Sequence, residues 1–484
     1  MEPSQQRYDR QADVVVLGAG AAGCAAAIAA HDAGAEVLIL EKCPPETAGG
    51  NTRVSGGSWF ENLDADRAAV YLRNLCGDFP VPEEVIRAWA EETRLNSKWM
   101  ESLGGNVVAN GVYTPEYPHL DGADCYGGYR SIEGRMGDQV LYRFLTDAVR
   151  ARGIEIRYAT PGRELITDGG AVVGVVAEQD GGQTRVRARR GVVLATGGFE
   201  NDPAMVRDYL RLPPCPVWGS PAGTGDGHRM AQKAGADLWH MDNMAAFTGI
   251  RVPGSHSGFF IRPPATGFIW VADDGRRFVD EAPALGGHGQ ARVHGRDELH
   301  PVRAAYVVFD ERTRRAGPLC PPRMYLPVGW QLLMEGYDWS PDNQAEIDRG
   351  WIRRADTVAE LAVELGLDPE TLTETVSRWN AACAAGRDDH FGRRPESLTP
   401  LDEGPFYAFE SAPLLGWTSG GPRRDEHCRV LDPYGSVIPG LYAAGSVSST
   451  YSWAKDGGFH IADALAFGRV AGRHAGGRTA EPTR

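Results

Sequence analysis

The sequence predicts an α/β protein, a parallel sheet wrapped by helices and carrying a β-meander, interrupted by an inserted α+β domain. Three observations point there. An apolar run breaks into Gly18-Ala-Gly-Ala-Ala-Gly23 and continues as an alanine-rich helix, and a second apolar run ends at Glu41. The same strand-into-glycine pattern returns near residue 195 and again near 445, on either side of a stretch of different texture.

Val14 to Leu17 reads as a strand, residues 21–30 as a helix, and Val37 to Leu40 as a second parallel strand. Gly18, Gly20 and Gly23 divide three tasks: turning the chain, letting backbone approach a pyrophosphate, and letting the helix lie close on the strand. Such a helix start is a ready anion site. Glu41 follows at about 20 residues, where a ribose 2′-OH acceptor belongs. The unit is a Rossmann-like dinucleotide site, and by itself it fits NAD or FAD equally.

Residues 47–58, rich in glycine and hydroxyls, suit a loop pressed against a ligand. Glu83 to Ser102 has a helical apolar face, 115–130 reads as irregular, and Gly137 to Arg152 as a helix. Ile154 to Tyr158 is a strand, and Ala171–Glu178 pairs with Thr184–Arg189 across Asp180-Gly-Gly as a hairpin. Val192 to Ala195 then runs into Thr196-Gly-Gly, at a strand's carboxyl edge where ligands bind. Asp226, in Gly223-Thr-Gly-Asp-Gly227, stands near a helix start, as a cap or as a ligand contact. The segment 241–401 reads as the inserted capping domain, between 10–240 and 402–475 of the nucleotide domain, with 476–484 as a tail.

A 484-residue chain has room for more than one domain, and a net charge of −14 argues against a nucleic-acid surface. The eight cysteines lie scattered without metal-ligand or haem-attachment spacing, so they read as free thiols, and no metal is expected. The amino-terminal residues lack a signal-peptide core, and the most apolar stretch is already explained by the nucleotide turn. The expectation is a cytoplasmic protein with no membrane partner and a small-molecule substrate.

The blocks GAGAAG (18–23), LEK (40–42), GGNT (49–52), LATGGF (194–199), GTGDG (223–227), GRRFVDE (275–281), GLYAAG (440–445) and GGFHIADALAFGRVAG (457–472) occur in one order across nearly the whole chain. Together they resemble the FAD-dependent oxidoreductases of the fumarate reductase and succinate dehydrogenase flavoprotein superfamily, which includes 3-ketosteroid dehydrogenases. The resemblance implies an FAD-binding domain with the pyrophosphate at Gly18, Gly20, Ala21, Ala22 and Gly23, and Glu41 and Lys42 at the adenosine end. It implies Gly50, Asn51, Thr52, Gly56 and Gly57 near the flavin, and Ala195, Thr196, Gly197 and Asp226 along the channel. Gly445 and Ser446, then Gly458, His460 and Ile461 at the start of the last helix, complete the contacts. Flavinylated members carry His where this chain has Asn51, so the FAD is expected to be non-covalent.

The resemblance also implies where this chain departs. The dicarboxylate-binding positions of fumarate reductases fall on Phe247, Gly416 and Lys455, which favours a larger, less polar substrate, with Phe247, Trp417, Trp453 and Gly457 as candidate contacts. Tyr451 is the expected proton-transfer residue, with Lys455 as its electrostatic partner or a carbonyl anchor, and His288 as a further candidate. The expected reaction is α,β-dehydrogenation of a ketone or cyclic natural product, with hydride passing to flavin N5. The alternative is reduction of an enoate C=C, and an electron-transfer subunit is a third reading. Dioxygen, a quinone or another small molecule is the expected electron acceptor or donor.

Overall fold

A computed structural model describes residues 8–111, 114–281, 291–293, 296–298 and 305–478. The chain forms two compact units, the first from Met1–Pro213, Ser220–Met244 and Trp417–Arg484, the second from Pro214–Gly219 and Ala245–Gly416.

The first unit is built on one sheet whose strands run in the spatial order Arg429–Leu431, Val437–Ala443, Gly182–Leu194, Arg10–Leu17, Val37–Leu40, Glu155–Arg157. The four central strands and Glu155–Arg157 run parallel, with Leu17 beside both Leu40 and Leu194, and Ala443 beside Leu194. This register sets four carboxyl ends along one edge, and each is followed by a glycine turn or by Glu41. Gly162–Asp168 and Ala171–Gln179 add an antiparallel meander onto Gly182–Leu194. Val37–Leu40 and the segments Val14–Leu17 and Val192–Leu194 of their strands are continuous apolar runs because both of their faces are covered. A small antiparallel sheet of Trp59–Asn62, Tyr126–Ile132 and Val107–Ala109 belongs to the same unit.

The helix Ala21–Asp32 packs along the closing helix Phe459–Gly477, and both are made of small residues where they meet. A Cβ at Gly468 would lie 2.6 Å from Ala22 O, and one at Gly472 would lie 2.2 Å from Ala26 O. Glycines four residues apart therefore let backbone approach backbone.

Local readings differ from the structure at three places. The glycine-rich 47–58 stretch contains a short helix, Gly50–Val54, opened by Gly49 at φ 103°. The helix expected from Glu83 to Ser102 is two, Glu83–Thr93 and Asn96–Ser102. Asn96 is buried at the restart, donating to Ala462 O and accepting from Arg469 of the closing helix. The irregular 115–130 stretch ends in the strand Tyr126–Ile132.

The second unit is an antiparallel sheet, ordered Phe259–Phe260, Met244–Ile250, Phe406–Thr418, Tyr306–Asp310, Phe268–Val271, with Ile352–Ala355 also on Phe406–Thr418. Phe406–Thr418 runs through this sheet, so the unit extends to Gly416 rather than stopping at 401. Helices Val358–Leu365 and Pro369–Ala385 cover one face through Leu361, Leu372, Val376 and Trp379, while Phe259, Trp270, Phe309 and Phe409 pack on the other. Arg277 is bonded to Glu281 and Asp388 and stacks over Trp379, which makes the GRRFVDE block a structural ion-pair node.

Candidate functional site

Along the carboxyl edge of the parallel sheet lies an elongated cleft, in the place where α/β sheets bind their ligands. Its lining includes Gly18, Gly20, Ala21, Ala22, Glu41, Lys42, Gly50, Asn51, Thr52, Ala195, Thr196, Gly197, Asp226, Gly445 and Ser446, all named from the sequence. Gly23, Gly56, Gly57, Gly458, His460 and Ile461 are not on this lining.

The three glycines of the first turn are separable in space. Gly18 sits at φ 100°, where a Cβ would come within 2.5 Å of Ala195 O, and a Cβ on Gly23 would lie 2.0 Å from Gly18 O. Gly20 lies on the cleft, and the Ala21 amide beside it donates to Thr52 Oγ1 at 2.9 Å. Glu41 ends its strand as a buried carboxylate, accepting from the amides of Ala19 (2.8 Å) and Cys43 (2.9 Å). Lys42 donates to Thr224 Oγ1 and to Asp226 Oδ2 at 2.7 Å, which resolves the Asp226 alternatives: its side chain is half of an ion pair on the cleft wall.

FAD fits this donor set. The Thr196 hydroxyl is buried with no partner among the described residues, while Gly197, at φ 75°, faces open space. The first helix presents its amino end, with no acidic residue in its first turn, to the same cleft. Asn51 is occupied by protein: its Nδ2 donates to Glu200 Oε1 at 2.9 Å and its Oδ1 accepts from Ser220 N at 2.7 Å. Glu200, Ser220 and Pro161 were not singled out from the sequence. Their segments reach the cleft only through the fold, although Glu200 directly follows the LATGGF block.

A second polar group lies immediately before the closing helix. Asp456 is buried, accepts from the Tyr71 hydroxyl (2.8 Å) and the Glu116 amide (3.0 Å), and bonds the Gly457 amide (2.7 Å). Gly457 abuts the Tyr129 phenol so closely that a Cβ there would lie 1.8 Å from its oxygen. Burial, followed by the negative charges of Asp456 and Glu116, pushes Tyr129 well above the usual phenol range, and burial with Asp456 does the same to Tyr71. Both stay protonated at neutral pH. Lys455 is buried, with its ammonium on Asn243 Oδ1 (2.6 Å) and Met244 O (2.7 Å). Desolvation lowers it to about 7 against the opposing pull of Glu116.

Tyr451 is placed otherwise than expected. It is fully buried among Trp89, Phe459 and His460, its hydroxyl donates to Phe459 O (2.6 Å) and accepts from Trp89 Nε1 (2.9 Å), and burial raises it well above 10. A phenol so enclosed and so weakly acidic is a core residue and not a base, and it is not bonded to Lys455. Trp417 lies edge-on to His460 at 5.0 Å and Trp453 stacks on Phe79 at 4.9 Å in the first unit, while Phe247 packs on Trp218 and Phe260 in the second. His288 lies outside the described residues.

The FAD binding domain family model matches residues 13–459. The chain is 29% identical to the fumarate reductase (cytochrome) of Shewanella frigidimarina, over 96% of this chain and 76% of that protein. It is also 29% identical to the 3-oxosteroid 1-dehydrogenase of Mycobacterium tuberculosis, over 96% and 98%. Among solved structures it resembles a 3-ketosteroid Δ1-dehydrogenase from Sterolibacterium denitrificans, with a TM-score of 0.80 and 24% identity over 96% of this chain and 99% of that one. With a glycine-lined cleft at the strand ends and a match over nearly its whole length, the chain belongs to the FAD binding domain family and is an FAD-dependent oxidoreductase acting on CH–CH groups.

Proposed function

We propose that this protein desaturates the bond α,β to the carbonyl of a ketone or cyclic natural product, with proton transfer handled by the polar group at 455–457. The observation that carries this reading is that two protonated phenols meet the 456–457 turn, next in the chain to a buried lysine and directly before the closing helix. When bound, FAD supplies the hydride chemistry. Tyr129, kept neutral, is the hydrogen-bond donor for a carbonyl oxygen, and such a bond polarises the carbonyl and acidifies the neighbouring C–H. Lys455, lowered to about 7, is the group that takes up that proton. Asp456 orients Tyr71 and the Gly457 amide and keeps the turn in place. The amides of His460 and Ile461 lie in the first turn of the closing helix, whose positive end would hold the electron-rich edge of a bound flavin.

The kinship with a 3-oxosteroid dehydrogenase supports a bulky apolar substrate. A second reading, reduction of an enoate C=C, is favoured by Lys455 itself, since its ammonium form pairs with a carboxylate and donates the proton. The kinship with a fumarate reductase supports it as well. We further propose dissociable FAD, a small acceptor such as dioxygen or a quinone, and a cytoplasmic setting, which the free thiols suit. No helix among the described residues is long and apolar enough to cross a membrane.

Anaerobic mixing separates the two directions. A saturated 3-ketone is expected to bleach the oxidised flavin absorbance of the holoenzyme. If ketones leave it unchanged while an enoate restores colour to dithionite-reduced enzyme, the dehydrogenase reading fails and the reductase reading stands.

A further inference from the structure

Glu200 is a buried carboxylic acid on the wall of the cofactor cleft, 3% exposed, with no cationic partner among the described residues. Its contacts are a built niche. Oε1 accepts from Asn51 Nδ2 at 2.9 Å, and Oε2 accepts from Thr418 Oγ1 at 3.3 Å. Thr418 Oγ1 in turn accepts from the Phe199 amide at 2.8 Å. Two glycines make room for the carboxyl group: a Cβ on Gly223 would lie 2.4 Å from Oε1, and one on Gly198 would lie 2.3 Å from Oε2. Neither glycine has a positive φ, so these positions need glycine for the volume Glu200 occupies and not for backbone freedom.

The described groups that face Glu200 are neutral: Asn51 from the short helix Gly50–Val54, Gly223 from the loop before Asp226, Gly198 from its own turn, and Thr418. The charged side chains on the same cleft wall are Glu41, bonded to two amides, and the Lys42–Asp226 pair. On its own element the nearest carboxylate, Asp202, is held by Arg229 and by the amides of Ala204 and Met205. Among the described residues no cation faces Glu200, and desolvation, offset only in part by the hydrogen bonds from Asn51 and Thr418, pushes it up to about 7.

We propose that Glu200 is the positioning residue that ties the Asn51 helix start to the 418 segment across the cofactor cleft, and that it carries a proton when FAD is bound. FAD brings a dianionic pyrophosphate to a wall where an ionised Glu200 is an uncompensated like charge. The cofactor therefore binds the protonated protein better: ionised Glu200, one proton and FAD combine to the complex with a neutral Glu200, and no other bond changes. The sign follows from linkage. Binding raises the affinity of Glu200 for its proton, so FAD affinity falls as pH rises above about 7 and is flat below it.

The test is FAD titration of the apoprotein by flavin fluorescence from pH 6 to pH 9, with proton uptake measured calorimetrically in buffers of different ionisation enthalpy. Wild type is expected to weaken by about tenfold per pH unit at most above the midpoint, with uptake approaching one proton. Glu200→Gln, which keeps shape and one acceptor, is expected to bind with a pH-independent affinity and no uptake. Thr418→Val, which removes a donor to the carboxylate, is expected to shift the wild-type midpoint upward, a change that a purely structural role does not produce. Thermal unfolding of each variant reports that the fold is kept. A pH dependence that persists in Glu200→Gln, or a wild type without proton uptake, overturns the proposal.

Discussion

Two residues four apart, Tyr451 and Lys455, show how burial divides similar sequence positions into different tasks. Tyr451 has both hydroxyl bonds satisfied inside the core. Tyr451→Phe leaves Trp89 Nε1 and Phe459 O short of a partner, so it is expected to lower stability by about 1–3 kcal/mol in denaturant titration while kcat stays within a few-fold of wild type. A large fall in kcat with unchanged stability would return Tyr451 to the chemistry. Lys455 is also buried, but its ammonium meets only neutral acceptors. Because its folded value lies near 7, below the ordinary lysine range, the amine is neutral above that pH and charged below it. In FAD-saturated enzyme, log kcat/KM is expected to bend near pH 7, and the bend is expected to vanish in Lys455→Met along with most of the activity. Local sequence could not separate these two, since Tyr, Trp and Lys before a glycine turn read alike until the packing is known. Tyr129 escaped for a related reason, since strand Tyr126–Ile132 meets the 455–457 turn only through the fold.

At the scale of elements, what the sequence makes legible is what is encoded over short distances. The strand, three-glycine turn and helix of residues 13–32 are specified by neighbours and were readable, whereas Asp226 was left open between cap and ligand contact because its Lys42 partner lies 184 residues away. The partners of Glu200 come from residues 51, 198, 223 and 418, and no window of sequence contains them together. The helix seam is intermediate: Gly468, Gly472 and Gly476 repeat every four residues in plain sight, and this spacing marks a helix face that touches another backbone. Gly472→Val is expected to cost about 1–3 kcal/mol by overpacking, seen as a lower Tm and weaker FAD retention. Gly477→Ala, with nothing within 4 Å of its Cβ, is expected to leave both unchanged.

For the molecule as a whole, the cofactor cleft draws on segments from Leu17 to Ala464 that are dispersed once the first unit unfolds. FAD binding should therefore stabilise the folded chain by mass action, about 2.7 kcal/mol when free FAD is 100 times its Kd. The apoprotein is expected to gain Tm with added FAD and to gain less with AMP. Asn51 offers no nucleophile for attachment to the flavin, so acid precipitation is expected to leave all the yellow colour in the supernatant; colour in the pellet would reveal a covalent link. The edges of the two units were not legible, because Phe406–Thr418 is one uninterrupted strand whose sequence gives no sign of where a unit ends.

The glycine seam between the first and last helices has one more effect. Ala21 and Ala464, each near the start of its helix, both line the cleft, and behind them the two rods touch main chain to main chain. The gap between the two helix starts is thus gauged by peptide dimensions, with no compressible side chain acting as a shim. A bulky replacement far down the seam would pry the rods apart like a wedge, and its effect would be felt at the mouth where the dinucleotide enters.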